Sequence, residues 1–431
     1  MHVRVTAARL MAVLGFLAVA PEISAYSVLT HEAIVDAAWD ESIKPLLRKR
    51  FPSSTPDQLK EAHAYAYGGS IIQDMGYYPF GSKLFTDLLH YVRSGDFILN
   101  LIRESRDLNE YAFALGALAH YAGDDNGHRI AVNVSVPLLY PKLRAKFGDR
   151  VTYADNPATH LKTEFSFDVL QVAQGHYAPD SYHSFIGFEV ARPVLERAFQ
   201  DTYGFPLANL FASEDLAIGT YRFSVSSAIP GLTKAAWATK KDEIARVTPG
   251  ITRKRFLYNL SHASYRKDWG SSYKEPGPGA RFLAFLIRIL PKIGPLKTLR
   301  FRTPTPQAEK LFMASFDATL AEYRRLLAAQ EAGHPDLPND NFDTGEPVKA
   351  GAYRLADNAY AELLDKLRGR YQNVPPDLRT NILAFYSDLS APIATKANAK
   401  KWAHLQNELD ELKRSGLRSE EQPQSGRSAA W

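Results

Sequence analysis

Residues 116–133, GALAHYAGDDNGHRIAVN, hold the densest set of chemically useful side chains in the chain. His120, Asp124 and His128 stand four apart, so on a helix of about 3.6 residues per turn they leave one face, stacked over two turns. Two imidazoles around a carboxylate form a nitrogen and oxygen donor set that suits zinc. The same spacing also fits a hydrogen-bonded polar patch, and such matches arise by chance. Three other segments offer similar donors. In YSVLTHEAIVDAAWD, His31 follows Tyr26 by five residues, and the plainest account is a helix starting at His31 and capped by Thr30. In GGSIIQDMGYYPFGSKLFTDLLHYV, Asp74 closes a helical stretch ahead of Gly76 and Pro79. His90 then lies on a helix whose apolar face is Leu84, Leu88, Tyr91 and Ile98, with Asp87 competing with Asp74 as the carboxylate of interest. In NPATHLKTEFSFDVL, Pro157 suits a first helical turn and His160 and Glu164 fall one turn apart. Solvated pairs explain many such matches, but two His-x-x-x-carboxylate pairs on successive helices are harder to dismiss.

The elements that must position these donors are helical throughout, and no strand alternation is worth assigning. A chain of 431 residues that is 45% hydrophobic is globular and long enough for two or three domains, or one large domain with appendages. The formal charge of +5 is modest for this length and does not by itself argue for nucleic acid. There is no cysteine, so disulfides and thiolate ligands are excluded and any zinc must be held by His, Asp, Glu, water or main chain. The N-terminus reads as an export signal: Arg4 and Arg9 precede the apolar run Leu10 to Ala20, which is too short to span a membrane, and Ser24 and Ala25 follow as small residues. The expected location is secreted or periplasmic. Cleavage after Ala25, rather than after Ala20, would expose the amine of Tyr26, which with its own carbonyl can chelate a divalent ion while His31 completes the site.

Taken together, these residues carry a family resemblance. From Tyr26 to about Phe199 the chain resembles the zinc-dependent phospholipase C and single-strand nuclease superfamily. The family's ordered pattern reads here as Tyr26, His31, Asp74, His90, His120, Asp124, His128, His160 and Glu164, nine matches of which none is specific alone. The resemblance implies an all-α fold, a multi-helix bundle with a trinuclear zinc cleft, to which this chain adds a helical C-terminal extension. It implies that Asp74, His90, His120 and Asp124 hold a first zinc, that His128, His160 and Glu164 hold a second, and that Tyr26, His31 and the other oxygen of Asp124 hold a third. Asp74 would also be the catalytic group that orients or deprotonates the attacking water. Two departures stand out. Tyr replaces the family's usual Trp at the first position, which matters little if only its backbone coordinates. The interval from Asp124 to His128 is short, and the glycines of GDDNGH would have to let His128 face a different ion from His120.

The implied substrate is a phospholipid or another phosphodiester. The segment 281–302, RFLAFLIRILPKIGPLKTLRFR, has six basic residues and no acid among aliphatic and Phe side chains, a mixture that suits peripheral membrane contact, although a basic helix packed on the protein's own core fits as well. It favours lipid over nucleic acid. Tyr77, Tyr78 and Phe80 could line either kind of pocket. The rival readings are a zinc-dependent single-strand nuclease or nucleotidase, separated by turnover on phosphatidylcholine against single-stranded DNA, and a non-catalytic lipid-binding or interaction protein on the same fold. His176, Asp180 and His183 read as structural or rim residues, and His63, near the cleft in sequence, is disfavoured as a ligand. The expected organisation is a signal peptide at 1–25, a catalytic domain at 26–240, a basic Gly- and Pro-containing insertion or linker at 241–304, a helical region at 305–415 and a disordered polar tail at 416–431. Within 305–415 the strongest pattern is an amphipathic helix at 307–331 with the stripe Leu311, Phe312, Phe316, Leu320 and Leu327; 334–347 reads as a loop.

Overall fold

Prolines and short polar side chains fix where the helices begin, and one long helix of small and apolar residues fixes where they pack. The computed structural model describes residues 27–173, 177, 186–229 and 301–420. Its helices in chain order are α1 (Val28–Ala38), α2 (Lys44–Arg50), α3 (Pro56–Gly69), α4 (Lys83–Tyr91), α5 (Ser94–Glu104), α6 (Leu108–Asn126), α7 (Asn133–Leu139), α8 (Pro141–Phe147), α9 (Pro157–Ala173), α10 (Arg192–Tyr203) and α11 (Glu214–Phe223). They continue in the C-terminal part as α12 (Pro306–Glu331), α13 (Arg354–Leu367), α14 (Pro376–Phe385) and α15 (Ala399–Glu420). The two-residue strands Asp340–Asn341 and Glu346–Pro347 pair antiparallel within the loop expected at 334–347. No helix among the described residues is long and apolar enough to cross a membrane. The fold is all-α, as the sequence predicts.

The starts follow local rules. At α3, Thr55 and Gln58 form a reciprocal capping box ahead of Pro56, and at α6 the Asp107 carboxylate accepts from the Glu110 amide at 2.8 Å. Asn156 accepts from the Thr159 amide at 3.0 Å with Pro157 in the first turn of α9, and Thr305 accepts from the Ala308 amide ahead of Pro306. Helix α6 is buried nearly all round and packs against α3, α5, α12 and α1. Its contact with α3 is close enough that a Cβ on Gly116 would lie 2.0 Å from the Ala66 carbonyl oxygen. Two turns further along α6, a Cβ on Gly123 would meet the His31 ring at 3.3 Å, so this glycine lets α1 lie down on α6.

Four local expectations are corrected. Helix α1 begins at Val28, and Thr30 is a buried residue inside it, not its cap. Asp74 sits in a 3-10 turn, Ile72–Tyr77, not at the end of an α-helix. The single helix expected through His90 and Ile98 is two, broken at Arg93, whose φ of 53° is held by bonds from its guanidinium to Asp96, the Thr202 carbonyl and Asp377. Residues 416–420, expected in the tail, are the last turn of α15. Helix α12 matches its expected stripe closely, with Phe312, Phe316, Leu320 and Leu327 buried and Leu311 half-buried. One apolar cluster includes Leu115 of α6, Phe199 of α10, Phe312 of α12 and Leu363 of α13, so the C-terminal helices share their core with the helices that carry the candidate ligands. Each such fully buried side chain contributes roughly 1.5–3 kcal/mol relative to exposure.

Candidate metal centre

Four helices and the 3-10 turn deliver the donors. His31 comes from α1, Asp74 from the turn, His90 from α4, His120 and Asp124 from α6, and His160 and Glu164 from α9. His128 follows α6 on a wide π-helical turn, Gly127–Val132. On a regular helix His128 would stay on the face of His120 and Asp124; the wide turn shifts the register, and His128 faces α9 instead. The three-residue stack expected on one face therefore splits. His31, His120 and Asp124 form one group of donors within 4.8 Å of one another, Asp74, His90 and His120 a second, and His128, His160 and Glu164 a third. All eight side chains are buried, none more than 2% exposed.

The Asp124 carboxylate joins the first two groups. Its Oδ1 lies 3.3 Å from His31 Nε2, while its Oδ2 lies 3.1 Å from His120 Nε2 and 3.3 Å from His90 Nε2. His90 Nε2 is also 3.3 Å from Asp74 Oδ1. In the third group His160 Nδ1 lies 2.6 Å from Glu164 Oε1, and His128 Nε2 lies 3.6 Å from the same oxygen. The His31 ring stacks on His120 with centroids 4.3 Å apart.

Each of four imidazoles has one nitrogen committed to the protein and the other turned into the cluster. His90 Nδ1 pairs with the Thr86 carbonyl at 2.9 Å, His120 Nδ1 with the Ser70 carbonyl at 2.9 Å, and His128 Nδ1 with the Phe342 carbonyl at 2.8 Å. A carbonyl can only accept, so each Nδ1 donates and each Nε2 is left as the inward atom. His160 is reversed: its Nε2 pairs with Asn133 Oδ1 at 2.9 Å, leaving Nδ1 inward. The inward nitrogens of all four, one oxygen of Asp74 and both oxygens of Asp124 and Glu164 have no hydrogen-bond partner among the described residues. Buried polar atoms are nearly always satisfied, and this many orphans aimed at one another fit a set of cations held between them.

The electrostatics agree. Burial pulls the His90 imidazole down, but the Asp124 and Asp74 carboxylates outweigh it and hold it at about 10. Burial likewise opposes His128, and Glu164 and Asp343 carry it to about 9. Despite its own burial, the Asp124 carboxyl is held well below the usual carboxylate range by His120, His31 and His90. Burial drives Glu164 well above its ordinary value. In the metal-free protein, protons on His90 and His128 thus stand where positive charge is wanted, whereas burial and a neighbouring imidazole hold His31 and His160 down.

The remaining candidates fall outside the cluster. Tyr26, the 281–300 part of the basic segment, and His176, Asp180 and His183 lie outside the described residues. His63 stacks on Trp39 at 3.7 Å, and Asp87 pairs with Lys83. Tyr77 and Tyr78 are buried, Tyr77 edge-on to His90 at 6.4 Å, whereas Phe80 is exposed. Two further residues were not among the expected ones. Asp168, one turn beyond Glu164 on α9, accepts from the Leu29 amide at 3.0 Å and the Thr30 hydroxyl at 2.8 Å, so it ties the start of α1 to α9; burial pushes its carboxyl up to about 7. Asp343, from the loop after α12, places Oδ1 3.3 Å from His128 Nδ1. The i, i+4 step from Glu164 would have pointed to Asp168; no spacing links Asp343 to His128.

Residues 30–212 match a family model described as zinc dependent phospholipase C. That span contains every candidate ligand from His31 to Glu164 and stops short of Asp343. No curated protein and no solved structure matches the chain.

Proposed function

We propose, from the match of residues 30–212 to the zinc dependent phospholipase C family model, that the protein is an exported zinc phosphodiesterase that hydrolyses phospholipids by attack of water at phosphorus. The carrying observation is the Asp124 carboxylate, which turns one oxygen toward His31 and the other toward His90 and His120, with both oxygens otherwise unbonded. A bridging carboxylate between two ions needs that arrangement. His31 and Asp124, with Tyr26 through its amine and carbonyl, would hold one ion; Asp74, His90, His120 and Asp124 another; His128, His160 and Glu164 a third.

Zinc there would supply Lewis acidity to the phosphate oxygens and lower the pKa of a water from about 15.7 toward 7. The chain's own part is to fix geometry and move a proton. The carbonyls of Ser70, Thr86 and Phe342 hold three imidazoles with Nε2 turned inward, so the rings need not turn when the ligands engage. Asp74, its Oδ1 3.3 Å from His90 Nε2, orients the attacking water and accepts its proton. Burial of the donor set lowers the local dielectric and strengthens every interaction with a phosphodiester's charge.

The test is metal analysis of the purified mature protein together with turnover of phosphatidylcholine against single-stranded DNA. Two to three zinc ions per chain and preference for the lipid are expected, with Asp74→Asn losing at least 100-fold in turnover, the low end of typical general-base contributions of roughly 10²–10⁴. Fewer than two ions, or full activity in Asp74→Asn, would refute the proposal. Mass determination of the exported chain should find Tyr26 first; a start at Pro21 would remove the terminal amine as a ligand.

A further inference from the structure

The buried carboxylate of Asp343 is not explained by the family match, which ends at residue 212, nor, among the described residues, by an ion pair with Lys or Arg. Its Oδ2 accepts from the Tyr91 hydroxyl at 2.7 Å and from the Tyr353 hydroxyl, and its Oδ1 faces His128 Nδ1 at 3.3 Å. Its main-chain carbonyl accepts from Asn133 Nδ2 at 2.6 Å, and the other end of that Asn133 amide holds His160 Nε2. The preceding residue closes the other side. Phe342 donates its amide to the His90 carbonyl at 3.2 Å, accepts from His128 Nδ1 through its own carbonyl, and sets its ring against His90 and His120 at 5.3 and 6.1 Å. Phe342 and Asp343 thus touch four imidazoles of the cluster, directly or through Asn133.

We propose that the loop carrying Phe342 and Asp343 is a built-in part of the metal centre, and that Asp343 is a positioning residue for His128 and, through Asn133, for His160. The C-terminal part of the chain is then required for loading of the His128, His160 and Glu164 group. An imidazole that ligates through one nitrogen is oriented by what its other nitrogen donates to, and a carboxylate beside that donor raises its basicity as a ligand. Here the acceptor is the Phe342 carbonyl, and Asp343 both pins that carbonyl in place and adds charge next to the donating Nδ1. The loop is itself anchored to the helices that bring the ligands: Ser94 donates to the Asp340 carbonyl at 2.7 Å and Tyr121 to the Pro338 carbonyl at 2.9 Å.

The inference rests on the metal-centre reading, and its test separates the two. Wild type, Asp343→Ala and the milder Tyr91→Phe, which removes one bond to Oδ2 and keeps the ring, are compared in the full-length chain. Zinc stoichiometry, competition against a chromophoric chelator and the visible spectrum of the cobalt(II)-substituted protein are read, with circular dichroism as the check on folding. Asp343→Ala should weaken one ion by about 10- to 100-fold and alter one component of the cobalt spectrum, leaving the other ions and the helix content unchanged, and Tyr91→Phe should shift the same ion in the same direction by less. If Asp343→Ala does not fold, the Tyr91→Phe comparison decides. Wild-type zinc affinity and an unchanged cobalt spectrum in the folded variants would overturn the positioning role while leaving the metal centre intact. A wild-type chain that takes up no zinc would overturn both.

Discussion

Loading the cluster with zinc at pH 7 should release at least two protons per chain. In the metal-free protein His90 holds its proton up to about 10 and His128 up to about 9, so both are cationic at neutral pH. Their Nδ1 atoms are committed as donors to the Thr86 and Phe342 carbonyls, so the proton that leaves must be the one on Nε2, the inward nitrogen. Asp124 contributes no proton because it is ionised far below pH 7, whereas Glu164, pushed up by burial, can only add to the count. The sign follows: lowering the pH restores competitors for the sites, so the overall affinity for filling both groups falls by about 100-fold per pH unit between 8 and 6, or roughly 2.7 kcal/mol at about 1.36 per proton. Calorimetric zinc titrations in buffers of different ionisation enthalpy measure the proton count directly. Asp124→Asn removes the largest influence raising His90 and should cut the release by about one. A release of fewer than one proton at pH 7 would refute the placement of charge in the cluster.

Other expectations can be checked on the folded protein. Asp168 has its carboxyl raised from 3.8 to about 7, so its favourable contribution is complete below its unfolded value and is lost as pH rises through 7. That loss is worth up to roughly 4 kcal/mol, and Asp168→Asn should flatten the fall in thermal stability between pH 4.5 and 8; an unchanged pH profile would count against it. Gly116→Ala places a methyl group 2.0 Å from the Ala66 carbonyl oxygen, a main-chain atom that cannot swing aside, and should cost about 1–3 kcal/mol or more in denaturant unfolding. Gly219→Ala, exposed on α11 with nothing near its Cβ, should instead stabilise by about 0.5–1 kcal/mol, and equal effects at the two sites would show that packing is not the cause.

The sequence by itself determined the helical class, the first helical turn at Pro157, the apolar stripe of the helix at 307–331, and the paired His120 with Asp124 and His160 with Glu164, because amphipathic and i, i+4 geometry are properties of a short stretch of chain. It could also name His31, Asp74 and His90 through an ordered pattern, without saying that Asp124 turns one oxygen to His31 and the other to His90 and His120. Only the tertiary structure decided three things. The wide turn after Asn126 parts His128 from His120, because a one-residue change of helical register is set by what the turn packs on. The break at Arg93 is held by Asp96, the Thr202 carbonyl and Asp377, the last more than two hundred residues away in the chain. Asp343 likewise reaches His128 from far along the chain, and a contact between residues that far apart leaves no period in the sequence, since it exists only once α12 has docked on α6 and carried the following loop back to the ligands.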